Sequence, residues 1–241
     1  MAIVDAMEPS LVLSLAEKMG LSQVIQKSCT EFEQEKICSI SMIQNPKNFM
    51  LWPTDTILGT EARAIQDLNI NFKQSKEKEN TIQKVLSWCK NLPRISRRQD
   101  SIRLIVDELY TNAIYNAPPS LRKSGQPRTV SKKSVLNAEL FLSASNERLL
   151  IGTRDRYGTL CLDSLLAKIS TSFRDGLSAA INQGPGGAGI GCRLMFDQCL
   201  AFYIGVRPRY ETIVAFTLPI GRSAQPNEID FKNIHFCIQK D

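Results

Sequence analysis

The stretch Gly184-Pro185-Gly186-Gly187-Ala188-Gly189-Ile190-Gly191 holds five glycines in eight residues and runs directly into a helical pattern that continues to Asp197. Glycines at this density leave backbone N–H groups able to turn toward an anion, and a helix N-terminus adds its dipole, so the pair is a candidate phosphate cradle. The spacing is neither G-x-x-x-x-G-K-[ST] nor a strand-first G-x-G-x-x-G, which excludes the Walker and Rossmann designs. A flexible linker between two elements is the alternative reading of the same residues.

Working outward, Ala138–Ala144 and Leu149–Thr153 flank Ser145-Asn146-Glu147-Arg148 as a hairpin, and a helix is expected from about Leu160 to Ile169. Downstream, Ala201–Val206 and Thr212–Leu218 make a second hairpin across Arg207-Pro208-Arg209-Tyr210, and Asn233–Ile238 suits an edge strand. Two amphipathic helices come first, over Thr81–Cys89 and about Asp100–Tyr115, the latter with Ile102, Ile105, Val106, Leu109 and Ala113 three and four residues apart. The order helix, helix, hairpin, helix, glycine loop, helix, hairpin predicts an α+β fold, a two-layer α/β sandwich with helices on one face of a mixed sheet.

Residues 1–75 are expected as a smaller N-terminal α/β unit, a regulatory or partner-docking piece. It would hold a helix from Pro9-Ser10 to Met19 stopped by Gly20, a strand at Ile37–Ile43, and a second strand at Phe49–Trp52 ended by Pro53. Asp55 after that apolar run admits a receiver-like phospho-acceptor, although an acidic residue there is more often an element end. The polar run Asn69–Asn80 marks the boundary to a domain over 80–220, and 221–241 is a C-terminal extension.

The 241 residues are 43 % apolar and 22 % charged, a globular composition that excludes collagen-like and wholly disordered classes. No apolar run reaches the roughly 18 residues of a membrane span, and Met1–Leu13 carries Asp5 and Glu8 rather than a basic n-region, so a cytoplasmic protein with no membrane is expected. Seven dispersed cysteines form no C-x-x-C pair, and the single histidine, His235, has no second histidine with which to share a metal. Residues 1–80 carry 8 Lys+Arg against 11 Asp+Glu, and 81–241 carry 22 against 13. The basic half suits an anionic ligand or an acidic protein partner. The densest group, Arg122, Lys123, Arg128, Lys132 and Lys133, has no interleaved aromatics, so no specific nucleic acid is expected.

Two further clusters carry chemistry. On a helix, Glu108, Asn112 and Asn116 fall at i, i+4 and i+8, a carboxylate and two amides along one stripe that suit an oxygen-loving cation and an activated nucleophile; a solvated polar face is the alternative. In Gly152-Thr153-Arg154-Asp155-Arg156-Tyr157-Gly158-Thr159, an acidic residue at a strand end suits the exocyclic amine of a base, with Gly158 letting backbone pass close; a plain strand-to-helix turn capped by Asp155 or Thr159 is the alternative.

The ordered triple resembles the GHKL (Bergerat-type) ATP-binding domain of histidine kinases, DNA gyrase, heat-shock chaperones and mismatch-repair ATPases, most of all the stand-alone anti-sigma-factor serine/threonine kinases. Glu108-x-x-x-Asn112-Ala113-x-x-Asn116 is similar to the N-box, Asp155 to Gly158 to the first glycine box, Gly187-x-Gly189-x-Gly191 to the second, and Phe216-Thr217-Leu218-Pro219 to the closing strand. The resemblance implies ATP and Mg²⁺ as cofactors, with Glu108 the general base or the residue that positions the water or hydroxyl, Asn112 the Mg²⁺ ligand and Asn116 beside the phosphates. It implies further that Asp155 accepts from adenine N6, that Gly158 admits the base, and that Gly187, Gly189 and Gly191 form the hinge and cradle of a lid. Arg154, Arg156 and Arg193 are candidate charge partners. The resemblance implies a protein partner such as a sigma factor, an anti-sigma antagonist or a response regulator, and it allows a homodimer. A non-catalytic, nucleotide-dependent binding module is the alternative to a kinase. The chain departs from the D-x-G-x-G pattern, with Tyr157 and Thr159 in the glycine places, and has no histidine ahead of the N-box.

Overall fold

A computed structural model of the chain describes residues 1–5, 7–29, 31–59, 66–92, 95–119, 137–176, 188–220 and 232–239. Eight strands form one sheet: β1 (Ala2–Val4), β2 (Gln23–Gln26), β3 (Gln66–Phe72), β4 (Ala138–Ala144), β5 (Arg148–Asp155), β6 (Ala201–Arg207), β7 (Glu211–Pro219) and β8 (Asn233–Ile238). Their order is β1-β2-β8-β6-β7-β5-β4-β3. Parallel pairing at β1–β2 and β6–β8 with antiparallel pairing elsewhere makes the sheet mixed, as expected. The segment 1–75 contributes three of these strands. The stretch 233–238 lies inside the sheet, between β2 and β6, and not at its edge. It can do so because both of its faces are covered and five of its six residues are buried.

Eight α-helices are present among the described residues: α1 (Pro9–Met19), α2 (Phe32–Gln44), α3 (Pro46–Leu51), α4 (Pro53–Leu58), α5 (Lys78–Cys89), α6 (Gln99–Thr111), α7 (Leu162–Arg174) and α8 (Ala188–Gln198). Gly20, at φ 62°, ends α1 in the left-handed conformation. Asn45, whose side chain accepts from Asn48 N, and Pro46 start α3.

Period-2 alternation sends the sheet's side chains to two faces. Leu149, Ile151, Phe202, Ile204, Phe216 and Leu218 face a large core shared with α1, α5, α6, α7 and α8. Leu150, Tyr203, Ile213 and Ala215 face a smaller one built with Cys38, Met42, Phe49, Met50, Ile57 and Leu58 of α2, α3 and α4. The sheet is therefore sandwiched on both faces, which corrects the expectation of helices on one face only. The stretches 37–43 and 49–52, expected as strands, are helical and supply the second layer. Asp55 accordingly sits in the first turn of α4 and follows no strand. Part of the presumed boundary run, from Asn69, belongs to the edge strand β3, whose Leu68, Ile70 and Phe72 pack inward.

Candidate functional site

The large-core face carries the Glu108–Asn116 stripe, the end of β5 and, of the glycine stretch, residues 188–191; Gly184, Gly186 and Gly187 lie outside the described residues. Helix α6 buries Ile102, Ile105, Val106 and Leu109 and passes at Asn112 into a π-turn, Asn112–Asn116, closed by Ala117 N donating to Asn112 O at 3.0 Å. Such widened turns recur where a helix must present side chains out of α register. Here Asn116 Nδ2 donates to Asn112 Oδ1 at 2.5 Å, so the two amides stand together at the helix end as their spacing predicts.

Gly191, in the first half of α8, meets the Glu108 carboxylate: a β-carbon at 191 would stand inside it. The Cys192 thiol beside it is pushed up to about 12, chiefly by burial and further by the Glu108 charge, against the pull of Lys168 on α7. The glycine-rich helix and the acidic end of the stripe, some 80 residues apart, are thus in contact. Gly189 lies in the first turn of α8, and Gly187 lies outside the described residues.

The second cluster closes on the first. Thr159 Oγ1 donates to Ala117 O at 2.7 Å, tying the loop after β5 to the end of the π-turn. Asp155 is the last residue of β5 and is 9 % exposed; its Oδ1 accepts from Tyr157 N at 2.9 Å, which fixes the carboxylate in an Asx turn. Its register partner across β7 is Thr212. Directly paired residues share a face, and Thr212 Oγ1 is buried with no hydrogen-bond partner among the described residues. That carboxylate and hydroxyl form a polar pair that sequence reasoning missed, because only strand register brings 155 and 212 opposite each other. Thr111, immediately before Asn112, carries a second such hydroxyl.

Gly158 packs against a turn. At φ +58° its α-carbon abuts Arg207 O and the backbone nitrogens of Arg209 and Tyr210, and its carbonyl accepts from Arg209 N at 3.3 Å. Its bare α-carbon admits the β6–β7 turn. The candidate charge partners are committed as well. Arg154 points to the smaller core and donates to Met50 O at 2.7 Å. Arg156 pairs with Glu211 at 2.9 Å. Arg193 grips both oxygens of Asp197, donates to Ser172 O and lies over the Phe173 ring. The basic group Arg122, Lys123, Arg128, Lys132 and Lys133 lies outside the described residues.

Among the described residues no group of three His, Cys, Asp or Glu side chains is disposed to hold a metal ion, and no helix is long and apolar enough to cross a membrane. No protein-family model matches the chain, and no curated protein matches its sequence.

Proposed function

We propose that the face bounded by the Glu108–Asn116 stripe, the end of β5 and the start of α8 binds Mg-ATP, and that the chain is a signalling regulator of the GHKL type that transfers phosphate to a protein serine or threonine. The observation that carries this reading is the convergence of three sequence-distant clusters on one face of the sheet, with Gly191 against Glu108 and Thr159 against Ala117.

The donor set fits the metal. An Mg²⁺ ion binds through one or two protein oxygens plus phosphates and keeps several waters, so it needs no resident acidic cage. Asn112 Oδ1 accepts from Asn116 and, as a carbonyl oxygen, retains a second lone pair for the ion. When bound, the ion would neutralise phosphate charge. Asp155 and Thr212 would present an acceptor and a hydroxyl to adenine. Glu108 would hold the attacking hydroxyl and take its proton on a carboxylate oxygen, while the glycines near the start of α8 leave room for phosphates beside backbone N–H groups. The protein partner would be a sigma factor, an anti-sigma antagonist or a response regulator in the cytoplasm.

One observation favours the alternative, a nucleotide-dependent binding module without turnover. Phosphoryl transfer gains from cations on the transferred group, and Arg154, Arg156 and Arg193 are all engaged elsewhere. Calorimetric titration with a non-hydrolysable ATP analogue, with and without Mg²⁺, tests both. Saturable, Mg²⁺-dependent binding supports the site, and no binding at millimolar analogue to folded protein overturns it. Transfer of labelled phosphate that is lost in Glu108→Gln separates kinase from module.

A further inference from the structure

The helical layer on the opposite face of the sheet turns large apolar side chains away from the core. On α2, Ile37, Ile40 and Ile43 are exposed at three-residue spacing, and Leu51 and Trp52 at the end of α3 are exposed with them, Trp52 at 62 %. Single surface hydrophobes are ordinary, but isoleucines aligned along one exposed helix stripe are the pattern of a contact surface. The other side of α2 fixes this orientation. It buries Glu35, Cys38, Ser39 and Met42. Glu35 accepts from Arg148 Nη1 at 2.5 Å and from Tyr203 OH at 2.9 Å, and Ser39 Oγ lies 3.0 Å from His235 Nδ1. Rolling α2 to bury its isoleucines would carry Glu35 into solvent and take that carboxylate from the buried Arg148 guanidinium, so the polar side is pinned inward and the isoleucines outward.

The order of residues along the stripe specifies what covers it. About Ile40 as centre, Ile37 and Ile43 stand three residues to either side, Lys36 and Gln44 four, and Glu33 and Lys47 seven. Two copies of α2 laid antiparallel about a two-fold axis at Ile40 therefore set Ile40 on its own counterpart and each Ile37 on the partner's Ile43. The same operation turns Glu33, whose side chain is 71 % exposed, toward the corner between α2 and α3 of the second copy, where Lys47 is exposed. It also sets Lys36 opposite the amide of the partner's Gln44, so apolar meets apolar, acid meets base twice over, and these pairs oppose no like charges. A parallel pairing in register would instead set Glu33 on Glu33 and Lys36 on Lys36.

We propose that the outward face of α2 is the contact surface between two copies of this chain, paired antiparallel about Ile40. The α2 layer and the Glu108–Asn116 stripe lie on opposite faces of the sheet, so the contact leaves the proposed nucleotide face of each copy open. The pairing stands whether or not that face binds ATP.

Sedimentation velocity of the full chain from about 1 to 100 µM is the test. A monomer–dimer equilibrium is expected, weakened about tenfold or more by Ile40→Glu, which sets two carboxylates against each other at the axis. Because Ile40 is exposed, the melt of that variant in dilute solution, where parent and variant are both monomers, is expected to match the parent. Glu33→Lys and Lys47→Glu are each expected to weaken the dimer about threefold or more, and the double variant to restore it, which no other arrangement of these charges would do. A monomer at every concentration overturns the proposal. So does a dimer indifferent to Ile40→Glu, and so does a charge reversal that the double variant fails to rescue.

Discussion

The Glu108 carboxylate rests against the bare α-carbon of Gly191, so the only side chain that residue 191 can carry without moving this acid is a hydrogen atom. The obstructing atoms lie at the far end of a flexible side chain, which can swing aside, and alanine gains about 1 kcal/mol over glycine inside a helix. Gly191→Ala is therefore expected to stay folded, with a Tm equal to or slightly above the parent, yet to lose about tenfold or more in affinity for Mg-ATP as the acid is displaced. Thermal melts paired with calorimetry check it; a destabilised variant with unchanged affinity refutes the assignment.

Asn112→Ala removes the proposed ion ligand and one amide-to-amide bond at a half-exposed helix end. A change in stability of about 1 kcal/mol or less is expected, together with loss of the Mg²⁺ dependence of nucleotide binding. Titration of the variant with and without the ion distinguishes this from general weakening.

Asp155→Asn keeps an acceptor oxygen but loses the charge, and Thr212→Val removes the hydroxyl that has no partner among the described residues. Each is expected to weaken ATP by about tenfold while leaving inorganic triphosphate unaffected. Equal losses for the two ligands would detach both residues from the base.

Gly158→Ala contrasts with Gly191→Ala, because its neighbours are backbone atoms of the β6–β7 turn and its φ is +58°. With nothing able to swing aside, a cost of ~2–3 kcal/mol and a fall in Tm of about 5–10 °C are expected. A melt within a degree or two of the parent would contradict that packing.

Glu35, held at about 2 against an ordinary 4.5, gives an acid-side prediction. A lowered folded-state pKa contributes stability above the ordinary carboxylate range and forfeits it as pH falls from about 4.5 toward 2. The contribution at stake is about 3 kcal/mol. Urea unfolding at neutral pH and at pH 3 should show it, and Glu35→Gln, which strands Arg148 and His235, should cost about 3–5 kcal/mol at neutral pH and flatten the acid limb.

The helices and hairpins of the large core were legible because their buried residues are apolar at the right period, as in Ile102, Ile105, Val106 and Leu109. Helix α2 was not. It buries Glu35, Cys38, Ser39 and Met42 at helical spacing and exposes Ile37 at 58 % and Ile43 at 50 %, so its hydrophobic face points outward and Ile37–Ile43 reads as alternating strand. The buried acid is tolerable only because Arg148 and His235, 113 and 200 residues away, converge on it, and no local pattern announces that. For α3 the signal was present: Asn45-Pro46 is a helix start that the apolar run Phe49–Trp52 overrode. Of the site, the residue types and their order were readable, whereas the pairing of Asp155 with Thr212 and the use of Gly158 depend on strand register and on a turn some 50 residues away.

The interior placement of β8 also sets the order of events as the chain is made. β1 and β2 touch the remainder of the sheet only through β8, and Gln23 finds its backbone partner at Phe236, 213 residues later. A nascent chain emerging from its N-terminus therefore carries two strands with exposed ladder edges throughout most of its synthesis, a template for wrong pairing. The hazard ends only when residues 233–238 leave the ribosome and enter between β2 and β6.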